Sequence, residues 1–116
     1  MTDRELLEAA AKACGIDGAY GVASDDYYYD GNVEGILTIL PDGQSYVWNP
    51  LTDDGDALRL MVKLRLTVNC SYDEVAICGQ EFTQKEVFIE RNGEDPLAAT
   101  RRAIVRAAAA IGKEMK

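Results

Sequence analysis

The sequence predicts an α/β protein of the α+β kind, an α-β-α sandwich with a small, mostly antiparallel sheet and helices on both faces. Three observations predict it. Helical apolar periodicity with capping signals recurs near residues 3–14, 53–67 and 95–114. Between these lie short apolar runs bounded by turn residues, which read as about four strands joined by hairpins. No long linker, repeat or low-complexity tract interrupts the 116 residues, so residues 1–116 form one domain.

The first helix opens on a capping box, Thr2 with Glu5 three residues on, and Gly15 is placed to stop it. Leu6, Leu7, Ala10, Ala13 and Cys14 share its apolar face. Asp17–Asn32 is rich in glycine and acids and has no clear period. Gly35–Leu40 reads as a buried strand ended by the turn Pro41-Asp42-Gly43, with Ser45–Trp48 as its hairpin partner. Asn49-Pro50 turns the chain, and Thr52 or Asp53 caps the central helix. Its apolar face takes in Ala57, Leu58, Leu60, Met61, Val62, Leu64 and Val68, with Arg59 and Lys63 opposite. Asn69–Tyr72 breaks the chain. Glu74–Cys78 and Glu86–Arg91 alternate as strands, the second with Val87 and Ile89 on one face and Phe88 on the other. Asp95-Pro96 opens the last helix, whose inner stripe is Leu97, Thr100, Ile104, Ala107, Ala108 and Ile111. The predicted core joins Leu60, Met61, Leu64, Ile77, Ile89, Ile104 and Ile111.

Composition narrows the function. The chain has 47% hydrophobic and 28% charged residues, ordinary for a globular domain. Met1–Ala11 is charged and amphipathic, without the apolar core of a signal peptide, and no run is long enough to span a membrane. The three cysteines, Cys14, Cys70 and Cys78, read as reduced thiols of a cytoplasmic protein. With no histidine, three thiols leave a tetrahedral zinc site incomplete. The net charge of −8 is concentrated in residues 1–56, with 12 acids and 2 bases, whereas residues 57–116 carry 8 acids and 10 bases. Such a balance excludes nucleic-acid binding through a general basic field.

Four clusters are candidate sites. Asp53, Asp54 and Asp56 could ligate a metal, but their place in the first turn of a helix suffices to explain them, and no metal or other cofactor is expected. The run Asp25, Asp26, Tyr27, Tyr28, Tyr29, Asp30 has two readings. As a partner-binding edge it sets aromatic anchors among acids; as a half-buried strand it places Tyr27 and Tyr29 on one face and Tyr28 on the other. It is not a calcium loop, because Tyr28 replaces a ligand and Leu37 stands where glutamate belongs. Arg101, Arg102 and Arg106 can recognise an anion or form a basic surface on an acidic protein; Arg101, near the edge of the inner stripe, can also pair with a carboxylate. Trp48 is the chain's only tryptophan. The histidine that most neutral-pH acid–base chemistry uses is absent, as are a nucleophile elbow, a P-loop and a GxGxxG run. The chain therefore reads as a binding protein and not an enzyme.

Three blocks carry a family resemblance. TDRELLEAAAKACGI at Thr2–Ile16, WNPLTDDGDALRLMVKL at Trp48–Leu64 and DPLAATRRAIVRAAAAIG at Asp95–Gly112 resemble the phage ABA-sandwich domain, a family of small phage and prophage proteins. Asp17–Gln44 departs most, and SDDYYYDG is not a feature of that family. The resemblance implies helices on both faces of a sheet and a life in the cytoplasm of a bacterial host cell; it implies no reaction. Two functions follow as expectations. One is a protein-binding module acting on a host protein complex, an inhibitor of host defence that mimics nucleic acid with its acidic surface. The other is a small-ligand or nucleotide-signal binding protein using Arg101, Arg102 and Arg106 beside Trp48.

Overall fold

The computed structural model describes residues 1–24, 32–70, 74–80, 87–91 and 93–115. Among the described residues nine elements follow one another: α1 (Asp3–Cys14), β1 (Gly18–Ser24), β2 (Asn32–Ile39), β3 (Ser45–Trp48), α2 (Asp54–Leu64), β4 (Leu66–Cys70), β5 (Glu74–Gln80), β6 (Val87–Arg91) and α3 (Pro96–Glu114). The protein is of mixed α+β class, with three helices packed on antiparallel sheet. The strands divide into two three-stranded sheets, β1-β2-β3 and β4-β5-β6, instead of one sheet of about four strands.

Local chemistry places most element ends. Thr2 and Glu5 form the reciprocal capping box of α1, and Gly15 stops it at φ 76°, a left-handed backbone that suits a residue without Cβ. Asp53 caps α2 by accepting from the Asp56 N–H, and Asp95 caps α3 by accepting from Ala98, with Pro96 in the first turn. The β2–β3 turn closes through Leu40 N–H to the Gln44 carbonyl and Gly43 N–H to the Leu40 carbonyl, both 2.8 Å.

Two strands were not visible in the pattern. In β1, glycine and alanine alternate with Tyr20 and Val22, so one face has almost no side chains to signal a period. In β4, Leu66 and Val68 continue the apolar run of α2, so the helix is expected to reach residue 67. It ends at Leu64, because Arg65 turns left-handed at φ 57° and its N–H closes on the Met61 and Val62 carbonyls.

One core joins all three helices to both sheets. Leu7, Ile36, Leu60 and Val105 are its largest fully buried apolar members, with Trp48, Leu64, Leu66, Ile104 and a run of buried alanines beside them. α1 packs on β1 and β2, α3 packs on β4, β5 and β6, and α1 and α3 pack on each other. Of the predicted core, Leu60, Leu64 and Ile104 are buried, and Met61 and Ile111 are packed against it. The side chain of Ile77 lies outside the described residues. Ile89 is 50% exposed: the strand alternates as expected, but Phe88 turns to the core, pairing in register with Ile77. Leu97, Leu58 and Val62 are exposed as well, since each helix buries a narrower stripe than its apolar residues would fill.

Candidate functional site

α2, the end of α1 and the β2–β3 hairpin enclose an open cleft of about 860 Å³. Asp56, Arg59, Leu60 and Lys63 line it from α2, at a spacing that keeps them on one helix face. Residues 14–18 supply the facing wall, Leu37–Pro41 the rim, and Tyr46 and Trp48 complete the lining from β3. In sheet β1-β2-β3, Trp48 pairs with Ile36 and Tyr46 with Thr38, so these side chains share the helix-facing side.

The polar centre of the cleft is Asp56, whose side chain is 1% exposed. Its Oδ1 accepts from the Tyr46 hydroxyl at 2.5 Å and from Arg59 Nη2 at 2.7 Å. Its Oδ2 accepts from the Asn49 backbone N–H at 2.9 Å. Asn49 in turn donates from Nδ2 to the Glu34 carbonyl and accepts from the Leu51 N–H, binding the Asn-Pro turn to β2 and closing it on itself. A buried carboxylate demands this number of donors. Burial, then the hydrogen bond to Asp56 and its charge, push the Tyr46 phenol up to about 12. The hydrogen bond to Asp56 also raises Arg59. At neutral pH Tyr46 thus stays protonated as a donor, and Asp56 is committed to three partners.

Each of the acids at the start of α2 is therefore engaged by the protein itself. Asp53 caps the helix, Asp54 pairs with Arg101 at 2.7 Å, and Asp56 anchors the turn. No cluster of three metal-ligating side chains occurs among the described residues.

Among the described residues the α3 arginines bond to carboxylates and backbone carbonyls. Arg101, its side chain 17% exposed, donates to the Leu51 carbonyl and pairs with Asp54, clasping the entry to α2. Arg106 pairs with Glu90 at 2.7 Å and lies 5.3 Å from the Phe88 ring centroid. Arg102 pairs with Asp3 at 3.1 Å and stands 3.9 Å from Glu90. Arg102 and Arg106 line a second cleft of about 740 Å³, whereas Trp48 lines the first. These arginines tie α3 to α1, α2 and β6.

Asp25, Asp26, Tyr27, Tyr28, Tyr29 and Asp30 lie outside the described residues. They fall in the connection between β1 and β2, whose flanking residues Ser24 and Asn32 pair with each other. In the sequence Asn49 reads only as a turn residue and Lys63 only as part of the polar face of its helix, and neither Tyr46 nor the burial of Asp56 is identifiable as a feature of a site. The only signal was a lone tyrosine beside an Asn-Pro turn, and the acid three residues beyond the cap was accounted for by the helix dipole alone. No protein-family model, curated protein or solved structure matches the chain.

Proposed function

We propose that the chain is a non-catalytic protein-binding module, a phage- or prophage-encoded accessory protein acting on a host complex in the bacterial cytoplasm. The observation that carries the reading is the outward face of sheet β1-β2-β3. By register, Ala19, Gly21, Ala23, Val33, Leu37, Ile39 and Val47 share it, and no charged residue interrupts them. Ile39 is 71% exposed and Leu37 39%, in a chain with 28% charged residues. A contiguous exposed apolar surface rimmed by polar groups is a feature of protein-interaction sites. The Asp25–Asp30 connection follows directly from β1, and its acids and tyrosines suit a basic partner surface; a partner engaged there is lost as salt screens the charges. The three blocks that resemble the phage ABA-sandwich domain support a host protein complex as the target. Among the described residues no helix is long and apolar enough to cross a membrane.

Affinity capture from a bacterial lysate with the wild-type chain and with Ile39→Glu tests the reading. The expected result is a defined complex retained by the wild type and lost by the variant, with equal melting temperatures because Ile39 is exposed. Identical retention by both chains, or no specific retention, would overturn it.

A further inference from the structure

The cleft between α2 and the end of α1 presents more than its polar floor uses. Among the described residues the hydrogen bonds and ion pairs of Arg59 run through one nitrogen, Nη2, to Asp56, Tyr46 and Asp53. The guanidinium has further donors on Nε and Nη1, and its side chain is 67% exposed. One helical turn on, Lys63 lines the same cleft and has no ion pair or hydrogen bond among the described residues. Beside these cations lie the apolar surfaces of Ile16 and Leu40, while Trp48 and Leu60 in the lining are almost fully buried. The volume of about 860 Å³ falls within the range of small-molecule sites, which pair apolar walls with a few convergent polar groups.

We propose that this cleft binds a small amphipathic monocarboxylate, its apolar body against Ile16 and Leu40 and its carboxylate at Lys63 and the outer edge of Arg59. A carboxylate oxygen pair matches the planar donors of arginine. Asp56 offsets the charge of Arg59, and Lys63 remains the cation of the cleft without a carboxylate partner among the described residues. Asp17 stands on the facing wall and repels the carboxylate toward α2, which sets the ligand's direction. One lysine and half of one arginine, on a chain of net charge −8, suit a monoanion better than a phosphate dianion. This site is separate from the α3 arginines; Leu37 and Ile39 of its rim also belong to the protein-binding face, whereas Arg59 and Lys63 do not.

Trp48, the only tryptophan, makes the cleft its own reporter. Octanoate, octanol and octylammonium are titrated into the intact chain while Trp48 emission is followed. Octanoate is expected to change the emission saturably and to bind about tenfold more tightly than octanol, with octylammonium weakest. Lys63→Gln is expected to weaken octanoate by about tenfold and leave octanol unchanged. Lys63 is exposed, so the variant should fold; Lys63→Arg, which keeps the charge, should retain most of the affinity. Equal binding of octanoate and octanol, an unchanged octanoate affinity in Lys63→Gln, or no saturable response would each overturn the assignment. The partner capture described above would be unaffected by any of these results.

Discussion

Asp56 shows how much one residue can organise. It sits in the first turn of α2, where a carboxylate already gains from the helix dipole, and it is also buried with three donors around it. Removing it leaves the Asn49 N–H, the Tyr46 hydroxyl and Arg59 short of an acceptor. Asp56→Ala is therefore expected to destabilise the fold by about 2–3 kcal/mol in urea denaturation, the cost of stranding buried donors. Tyr46 adds a pH signature. Its phenol rises from 10.0 to about 12 on folding, so between these values the unfolded chain releases the proton first and stability falls as pH rises. Below pH 10 the phenol is protonated in both states and this contribution is fully present. Tyr20, raised by its hydrogen bond to Glu34, acts in the same direction, so the comparison isolates Tyr46. Tyr46→Phe should show a shallower loss of stability from pH 10 to 12 than the wild type.

At the scale of elements, the close approach of α1 and α3 rests on small residues. Gly112 faces the backbone of α1 directly, and the buried Ala108 and Ala109 lie on the same side of α3. A Cβ at position 112 would run into the Ala9 carbonyl, which is backbone and cannot swing aside. Gly112→Ala should cost about 1–3 kcal/mol by forcing the helices apart, measured by thermal or urea unfolding. An unchanged midpoint would mean that the helices have slack. The junction of α2 and β4 shows the opposite economy. Arg65 accepts a left-handed backbone that glycine would adopt without strain, and the turn still forms because Leu64 and Leu66 on either side are both buried.

For the molecule as a whole, the decisive feature is one continuous core. Ile36 and Trp48 of one sheet belong to the same buried cluster as Leu66 of the other sheet and Ile104 of α3. The two sheets share this cluster, so they are expected to unfold together. Urea transitions followed by Trp48 fluorescence and by far-ultraviolet circular dichroism should coincide. A Trp48 transition at lower urea would show that sheet β1-β2-β3 and the cleft open on their own. The charge pattern is also a property of the whole chain. The excess acids of the first half meet the bases of the second in Asp54–Arg101 and Asp3–Arg102, so part of the sequence asymmetry closes on itself in space.

What the sequence by itself determined was the set of local decisions. Thr2 with Glu5, Asp53, Asp95 with Pro96, and the Pro41-Asp42-Gly43 turn all act within a few residues, so their chemistry reads directly from the chain. Together with helical periodicity they are enough for an α+β chain of three helices and antiparallel hairpins. Tertiary structure alone decided which face of each element is covered. Alternation in β6 separates Phe88 from Ile89 but is symmetric between them, and only the packing of α3 on that strand turns Phe88 inward. The same holds for the candidate site. Trp48 and the α3 arginines are equally available to a ligand in the sequence, yet Asp54, Asp3 and Glu90 draw the arginines away, and Arg59 and Lys63 stand beside Trp48 instead. Ion pairs and cleft walls join residues far apart in the chain, and their identity depends on distances that no local pattern encodes.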